Sequence, residues 1–468
     1  MNGMPDKPQL FGTDGVRGVA GEYPLDRATV WKFGCAIGRV LEEEARTAGA
    51  TAAGGVRVVL GRDTRESGDG LARLIASGLG AAGVEVSYAD VITTPGIAFL
   101  ARHHAFAAGI VISASHNPYR DNGVKALSKA GTKLPEEMEL RIERELDTIE
   151  PPQANSADSA QPALADRRPE LAEDYLRYLE GLARDLEGIS RLRLVMDCAN
   201  GAASGLGPEL MRRLDVNTQV LNTAPDGRNI NLGCGSLFPH TMAKTTRDLA
   251  ADLGVAFDGD ADRAIFATRS GRIADGDHVL YAAAGFLQDR GALRGGAVVG
   301  SQMTNFALER ALERRGIALK RAPVGDRYVL EEMLRSGINL GGEPSGHIIF
   351  RDRGLAGDGL VTLLEVLRIV SETGRSLEEL LRGYAPLPQL IVNVRVRTKP
   401  PLESIPAVAD AIERSRRDID HEGRVVVRYS GTEALARVMV EAKDGDLVRR
   451  HADGIAEAIE REIGAGPA

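Results

Sequence analysis

The chain has few aromatics. They make up 4% of 468 residues, with a single tryptophan. Glycine is plentiful by contrast, at 54 residues. That balance favours many tight strand-to-loop transitions over an aromatic-rich binding surface. Cysteine is also scarce. Cys35, Cys198 and Cys234 are odd in number and far apart, which excludes a disulfide framework and a CxxC metal site and fits a reducing, cytoplasmic setting. Long apolar runs are missing too. The opening MNGMPDKPQLFG lacks the stretch a signal peptide needs, and no segment approaches a membrane span, so no membrane partner is expected. There is no excess of positive charge. A net charge of −8 gives no support to nucleic-acid binding, although a local basic groove for an anion remains open. No lysine-bearing P-loop pattern occurs, so ATP is not the obvious ligand. What remains is 43% apolar and 26% charged residues, the composition of a soluble globular protein. Its length calls for about three or four domains.

The most chemical stretch is Gly109 to Lys125, GIVISASHNPYRDNGVK. Gly109 to Ser113 reads as a buried strand running into a polar loop. That loop offers the hydroxyls of Ser113 and Ser115, the imidazole of His116, the amides of Asn117 and Asn122, and the ammonium of Lys125. Pro118 and the pair Asn122-Gly123 predict turns. A serine with histidine and lysine nearby suits a nucleophile with acid/base groups in reach.

A strand–helix–strand–helix–strand unit recurs. VRVVLG (56–61), a helix over 70–83, VEVSYAD from Val84 and GIVISAS from Gly109 form the first copy. LRLVMD (192–197), a helix around 208–214, a strand near 218–221 and LGVAFDGD from Leu253 form the second. GAVVGS (296–301), a helix around 305–315, IALKRAPV from Ile317 and INLGGEPSGH from Ile338 form the third. Three related α/β domains follow. In each, the third strand ends in the most reactive loop: SASHNP, DGDADR or GEPSGH. Ligands gather beyond the carboxyl ends of strands in such sheets, so the three loops can face one cleft. Glu136–Ile149 predicts a charged amphipathic surface helix, and Pro151–Pro169 a linker. After Gln389 the pattern changes to LIVNVRVRT, a helix over 405–417, RVVVRYS, RVMVEAK and a last helix near 447–463. This is a small α+β domain. LFGTDGVRG (10–18) reads as a turn from which Arg17 could reach an anion.

Asp258, Asp260 and Asp262 alternate with the small Gly259 and Ala261. On one loop they can converge on a hard cation, Mg²⁺ foremost. An EF-hand is excluded, since its sixth position should be glycine and its twelfth glutamate; here they are Arg263 and Arg269. Glu343 and Ser345 on a rigid turn suit sugar hydroxyls, while His347 reads as a packed structural residue. Arg428, Ser430, Gly431, Thr432 and Arg437 combine arginine forks, hydroxyls and a flexible backbone, which suits a phosphate.

A nucleophile loop, a metal loop, a polyol loop and a phosphate loop, in this order from Leu10 to Glu441, resemble the α-D-phosphohexomutase superfamily. FGTDGVRG, ISASHNPYRDNGVK, PDGRNIN with CGS, VGDRY and LIVNVRV are similar to its branch acting on glucosamine phosphates. The resemblance implies three similar α/β domains, each a mixed sheet sandwiched by helices, and a smaller C-terminal α+β domain around one central cleft. It implies a phosphoserine-loop domain over 1–165, a metal-binding domain over 166–269, a sugar-recognition domain over 270–385 and a phosphate-binding domain over 386–468. It implies phosphoserine at Ser115, with Arg263 beside it. It implies one Mg²⁺ held by Asp258, Asp260, Asp262 and a Ser115 phosphate oxygen. Lys125 and His116 are the acid/base candidates, Glu343 and Ser345 the hydroxyl-recognition pair, and Arg428, Ser430, Gly431, Thr432 and Arg437 the distal phosphate site. The partner is a small sugar phosphate, with glucosamine or glucose 1,6-bisphosphate as primer, and homodimers occur in the family. The implied reaction interconverts glucosamine 6-phosphate and glucosamine 1-phosphate. The alternatives are a mannose/glucose phosphate mutase and a metal-dependent sugar phosphatase. Three departures stand out. Ala261 replaces a common glycine, which should be harmless. Pro344 replaces an expected glutamine. Tyr429 and Ala434 replace prolines, which predicts a looser phosphate loop.

Overall fold

The computed structural model describes residues 8–12, 14–49, 55–151, 167–430 and 434–465. The chain forms two compact units, Met1–Gln302 with Lys320–Leu380, and Met303–Leu319 with Leu381–Ala468.

The larger unit is built on three sheets. The first contains β1 (Val16–Val19), β2 (Arg57–Arg62), β3 (Glu85–Val91), β4 (Ala108–Ile112) and β5 (Asp121–Ser128) in the order β1-β5-β4-β2-β3. The second contains β6 (Arg193–Asp197), β7 (Asn217–Leu221), β8 (Leu253–Phe257), β9 (Ala264–Thr268) and β10 (Ile273–Ala274) in the order β10-β9-β8-β6-β7. The third contains β11 (Ala297–Ser301), β12 (Ala318–Ala322), β13 (Leu340–Gly342) and β14 (Ile348–Phe350) in the order β12-β11-β13-β14. The division between the two units falls within β12.

The three expected repeats are present, with helices Gly68–Ala81 and Thr94–His103 in the first, Ala203–Arg213 and His240–Asp248 in the second, and Phe306–Glu313 and Asp326–Ser336 in the third. β4 and β8 are buried at every residue, as central strands of a sheet covered on both faces should be. Helix Arg27–Thr47 lies so close to Gly68–Ala81 that a Cβ on Gly78 would sit 2.1 Å from the Trp31 carbonyl oxygen. The buried side chains between them and the sheet, Phe33, Ile37, Leu60 and Ile75 among them, each contribute about 1.5–3 kcal/mol by leaving water.

Each repeat also has a strand that the pattern of apolar runs did not reveal. β5, β9 and β14 return antiparallel beside β4, β8 and β13. The reactive loops are therefore hairpin connections. Asn122-Gly123 is not a turn. Both residues lie in β5, opposite Gly18 and Arg17 of β1. The chain has already reversed at Pro118–Asp121, where the Asp121 N–H donates to the Pro118 carbonyl at 3.1 Å. Gly123 is needed for close approach instead, since a Cβ there would stand 2.7 Å from the Ser113 carbonyl oxygen. LFGTDGVRG likewise ends in a strand, β1, rather than only a turn.

Helix Glu136–Thr148 buries Ile142 and Leu146 and leaves most of its charged face in solvent. Of the expected linker, residues 152–166 lie outside the described residues, and Pro169 opens helix Pro169–Ala183. No helix among the described residues is long and apolar enough to cross a membrane.

The smaller unit carries one antiparallel sheet, β15 (Gln389–Arg395), β16 (Arg424–Tyr429) and β17 (Leu435–Glu441), in the order β15-β17-β16. Helices Pro406–Ile419 and Gly445–Ile463 cover it. Segment 303–319 belongs to this unit. The Phe306 N–H donates to Glu441 Oε2 at 3.2 Å and the Arg424 guanidinium to the Thr304 carbonyl at 3.0 Å.

Candidate active site

Ser115 closes the hairpin between β4 and β5. It is fully buried and has φ +52°, a left-handed conformation that costs a non-glycine residue about 1–2 kcal/mol. Local bonds hold it there. The Ser115 N–H donates to Ser113 Oγ at 2.9 Å, and that hydroxyl donates to Asp63 Oδ2 at 2.7 Å. Its own Oγ donates to Asp258 Oδ2 at 2.6 Å and lies 3.2 Å from His116 Nδ1.

Asp258, Asp260 and Asp262 converge as their alternation predicts. One oxygen from each lies within 4.8 Å of the others. Asp260 Oδ1 and Asp262 Oδ1 are buried and accept no hydrogen bond among the described residues. Burial, with Asp262 and Asp260 adding their charge, pushes the Asp258 carboxyl well above its ordinary range. An all-oxygen set with unused buried lone pairs is what a hard cation requires, so the residues fit Mg²⁺. Ala261, inside this loop, has φ +55° and is wholly buried. Ala261→Gly should change stability by less than about 1 kcal/mol, because the relieved backbone is offset by one lost buried methyl and a looser unfolded chain. Urea midpoints of the two proteins measure this, and a larger shift in either direction contradicts it.

Lys125 lies in β5 rather than in the loop, 3% exposed. Its Nζ is 2.8 Å from Asp260 Oδ2, 3.2 Å from Asp14 Oδ2 and 3.8 Å from Asp262 Oδ2. Burial alone would lower its pKa, but Asp14, Asp260 and Asp262 together hold it above the ordinary lysine value. His116 goes the other way. Burial first, then the cations of Arg263 and Arg17, lower it to about 4, so it is neutral at neutral pH. Arg263 donates its N–H to Asp258 Oδ1 at 3.2 Å and sets its Nε 3.7 Å from Asp262 Oδ1.

The third loop meets this cluster through His347, whose Nδ1 is 3.8 Å from Asp262 Oδ2 and whose Nε2 is 3.9 Å from Asp326 Oδ2. Burial would lower its pKa, but Asp262 and Asp326 raise it above the ordinary histidine value. Glu343 accepts from the Gly325 N–H at 3.1 Å. Ser345 Oγ is buried with no hydrogen-bond partner among the described residues. A cavity of about 370 Å³ opens beside Asp14, Lys125, Lys133, Asp262, Asp326 and His347. Glu343 and Ser345 are not part of that lining. Asp14 and Lys133 escaped sequence reasoning. Lys133 bridges Asp14 at 3.0 Å and Asp326 at 2.6 Å; the motifs LFGTDGVRG and VGDRY carry the two aspartates, and no motif carried Lys133.

Four family models match in succession: Phosphoglucomutase/phosphomannomutase, alpha/beta/alpha domain I over residues 8–153, domain II over 173–271, domain III over 275–387 and the C-terminal domain over 391–458. The chain belongs to the phosphoglucomutase/phosphomannomutase family. Among relatives in this family, the phosphoglucosamine mutase of Koribacter versatilis is 47% identical over 465 residues, covering 98% of each chain. That of Solibacter usitatus is 47% identical over 457 residues, 97% of this chain and 99% of the relative. A phosphoglucomutase/phosphomannomutase family protein from Burkholderia thailandensis superposes with TM-score 0.75 at 25% identity, over 97% of both chains. The N-acetylphosphoglucosamine mutase of Aspergillus fumigatus, solved with GlcNAc-6P and magnesium, shares the fold at TM-score 0.68 and 18% identity, over 98% of this chain and 97% of the other.

The family's C-terminal domain contains the arginine loop. Arg428 of β16 stands opposite Arg437 of β17. Burial and then the charge of Arg437 lower the Arg428 pKa from its ordinary value. Like charges directly opposite each other in a sheet repel, and a bound anion would relieve that. Lys399 adds a third cation, its Nζ donating to the Ser430 carbonyl at 2.7 Å. Gly431 and Thr432 lie outside the described residues. Hydrogen bonds hold the residues on either side of the loop. The Tyr429 hydroxyl donates to the Pro400 carbonyl at 2.7 Å, and the Ala434 carbonyl accepts from the Val396 N–H at 2.9 Å.

Proposed function

We propose that this isomerase interconverts glucosamine 6-phosphate and glucosamine 1-phosphate in the cytoplasm, with Ser115 carrying the phosphoryl group between turnovers. One observation carries the reading. A buried serine donates to one of three converging carboxylates beside a sugar-sized cavity, in a chain whose full-length relatives are phosphoglucosamine mutases.

Asp258, Asp260, Asp262 and Ser115 would hold Mg²⁺, which when bound neutralises charge on phosphoryl oxygens. In the first half-reaction the bond from phosphorus to Ser115 Oγ breaks and one to a sugar hydroxyl forms. His116, neutral at neutral pH, can take that hydroxyl's proton. Lys125, held charged, is the acid candidate. Arg263 steadies the phosphoserine side. The resulting 1,6-bisphosphate turns over and returns its other phosphate to Ser115. Glu343 and Ser345 read the sugar hydroxyls, and Arg428, Ser430, Gly431, Thr432 and Arg437 bind the phosphate not in transfer. Glucosamine or glucose 1,6-bisphosphate primes an unphosphorylated chain.

Intact mass and peptide mapping test this before and after labelled glucosamine 6-phosphate. The expected result is one phosphate on Ser115 that exchanges with the label, stops exchanging when EDTA is added and resumes with Mg²⁺. Phosphate lost to water at the rate of sugar turnover would indicate a phosphatase. Faster exchange with glucose or mannose phosphates would move the substrate away from glucosamine.

A further inference from the structure

The motif PDGRNIN and the CGS after it (Pro225–Ser236) supply none of the groups used above, yet they form a densely hydrogen-bonded loop. Asp226 Oδ1 accepts the N–H groups of Arg228 and Asn229, both at 2.8 Å. Asn229 Nδ2 donates to the Ala224 carbonyl at 3.0 Å. The far end is fastened to the second sheet. The Gly235 N–H donates to the buried Asp197 Oδ2 at 3.1 Å, and the Ser236 N–H to the carbonyl of Phe257, the residue before the metal loop, at 2.8 Å.

Between these anchors stands Asn231, 8% exposed, with φ +58°. Its backbone N–H donates to the Ala199 carbonyl at 2.9 Å. Its side-chain amide reaches into the first domain and donates to the carbonyls of Ser115, at 2.9 Å, and Asn117, at 3.1 Å. The same two carbonyls are held by Arg65, whose Nη2 is 2.9 Å from each. Arg65 is 1% exposed. Its Nη1 donates to the carbonyls of Pro118 and Asp121, and its Nε pairs with the buried Asp63 at 2.8 Å. The Ser115 carbonyl also abuts the metal loop, since a Cβ on Gly259 would lie 2.5 Å from it. Turning the peptide after Ser115 would break the two bonds that its carbonyl accepts from Arg65 and Asn231.

We infer that Arg65 and Asn231 are positioning residues that lock the Ser115 loop onto the metal loop, and that the PDGRNIN-CGS segment exists to deliver Asn231. The inference rests on the reading of Ser115 as the phosphoryl carrier. Both residues act on the backbone of the serine, and neither lines the cavity beside Asp262 and His347. Their loss therefore displaces the phosphoryl group without altering sugar binding, and misplacement of about 1 Å costs about 100-fold in rate.

The test uses full-length Asn231→Asp, Asn231→Gly and Arg65→Lys. The first replaces a donor by an acceptor while tolerating the left-handed backbone. The second removes the amide but keeps that backbone. The third keeps the charge for Asp63 but loses the planar fork. The expected result for both Asn231 variants is a kcat lower by about 10–100-fold, with KM within about twofold; Asn231→Gly melts closer to wild type than Asn231→Asp, whose carboxylate faces two carbonyl oxygens. The ratio of inorganic phosphate released to sugar isomerised rises. By intact mass, the lifetime of the Ser115 phosphate without sugar changes from that of wild type. Wild-type kcat, phosphate ratio and lifetime in both Asn231 variants would overturn the inference, as would activity that falls only with the folded fraction. If Arg65→Lys fails to fold, the two Asn231 variants decide alone. A wild-type protein that never carries phosphate on Ser115 would instead overturn the carrier reading.

Discussion

Ser115→Ala removes turnover by at least about 10⁴-fold, the scale on which loss of a covalent nucleophile acts. The size follows from the absence of a substitute. Ser113, the nearest other hydroxyl in the loop, already donates to Asp63 Oδ2 and accepts the Ser115 N–H. It cannot leave either bond without releasing the loop. Sugar-phosphate affinity, read by calorimetry, stays within a few-fold, because the substitution removes one oxygen and adds no bulk. Fold stability falls by about 1.5–3 kcal/mol, the net worth of a hydrogen bond to a charged group. Intact mass of the variant shows no added phosphate after priming. Substantial turnover in Ser115→Ala would mean that the phosphoryl group never passes through this side chain.

Lys125→Met costs both activity and stability. The ammonium is the only lysine or arginine nitrogen within 4 Å of Asp260 among the described ion pairs, and it also faces Asp14 and Asp262. Removing one partner from a buried charge cluster leaves the others uncompensated, at a cost of about 3–5 kcal/mol. If Lys125 is the acid of the proposed mechanism, its loss also lowers kcat by about 10²–10⁴-fold. The pH dependence has a definite sign. The native pKa of Lys125 is raised, so its stabilisation is fully present below the unfolded value of about 10.4 and fades only as pH climbs through the higher native one. Its partners Asp14 and Asp262 are shifted down. Burial would raise both, but Lys125 with Lys133 lowers Asp14, and Lys125 with His347 lowers Asp262. Their share is present above the unfolded value of about 3.9 and is lost as pH falls. These two shares of the gap between wild type and Lys125→Met in EDTA are therefore constant from about pH 5 to about pH 10, and a change inside that window reports His347 or Asp258, both raised above their ordinary values. Urea titrations at pH 6, 7.5 and 9 measure it. A gap that opens or closes between those points would show that another ionisation controls the cluster.

Much of this was legible in the sequence because it is local. The runs at 108–112 and 253–257 are continuously apolar, and central strands covered on both faces must be. Three carboxylates spaced by small residues on one loop can hardly avoid meeting. What the sequence hid is what depends on distant partners. β5 was obscured because its first residues, Asp121-Asn122-Gly123, carry turn chemistry. Only its pairing on both sides, with β4 and β1, makes it a strand. Arg65 sits in a run, RDTRESG, that looks like an ordinary polar loop, and nothing nearby reveals that its guanidinium is buried against carbonyls about fifty residues away. Asn231 is hidden in the same way, its amide serving a loop more than a hundred residues earlier in the chain. Periodicity reports which face of an element is dry; it says nothing about which polar group will cross from one layer to the next.

The hairpin setting of the three reactive loops bears on how such a chain could have arisen. A loop between a parallel strand and a helix shares its end with the helix, so changing its length tilts the helix and disturbs the packing behind it. Here both feet of each loop stand on neighbouring rungs of one sheet, about 4.8 Å apart. Residues between the feet can be exchanged, added or removed while the ladder beneath keeps its register. A duplicated module of this kind would inherit a blank site at a fixed place on a finished scaffold. Three copies could then diverge toward a hydroxyl carrier, a carboxylate cluster and a histidine-bearing turn, each rewriting a few letters of its sequence and leaving the sheet below untouched.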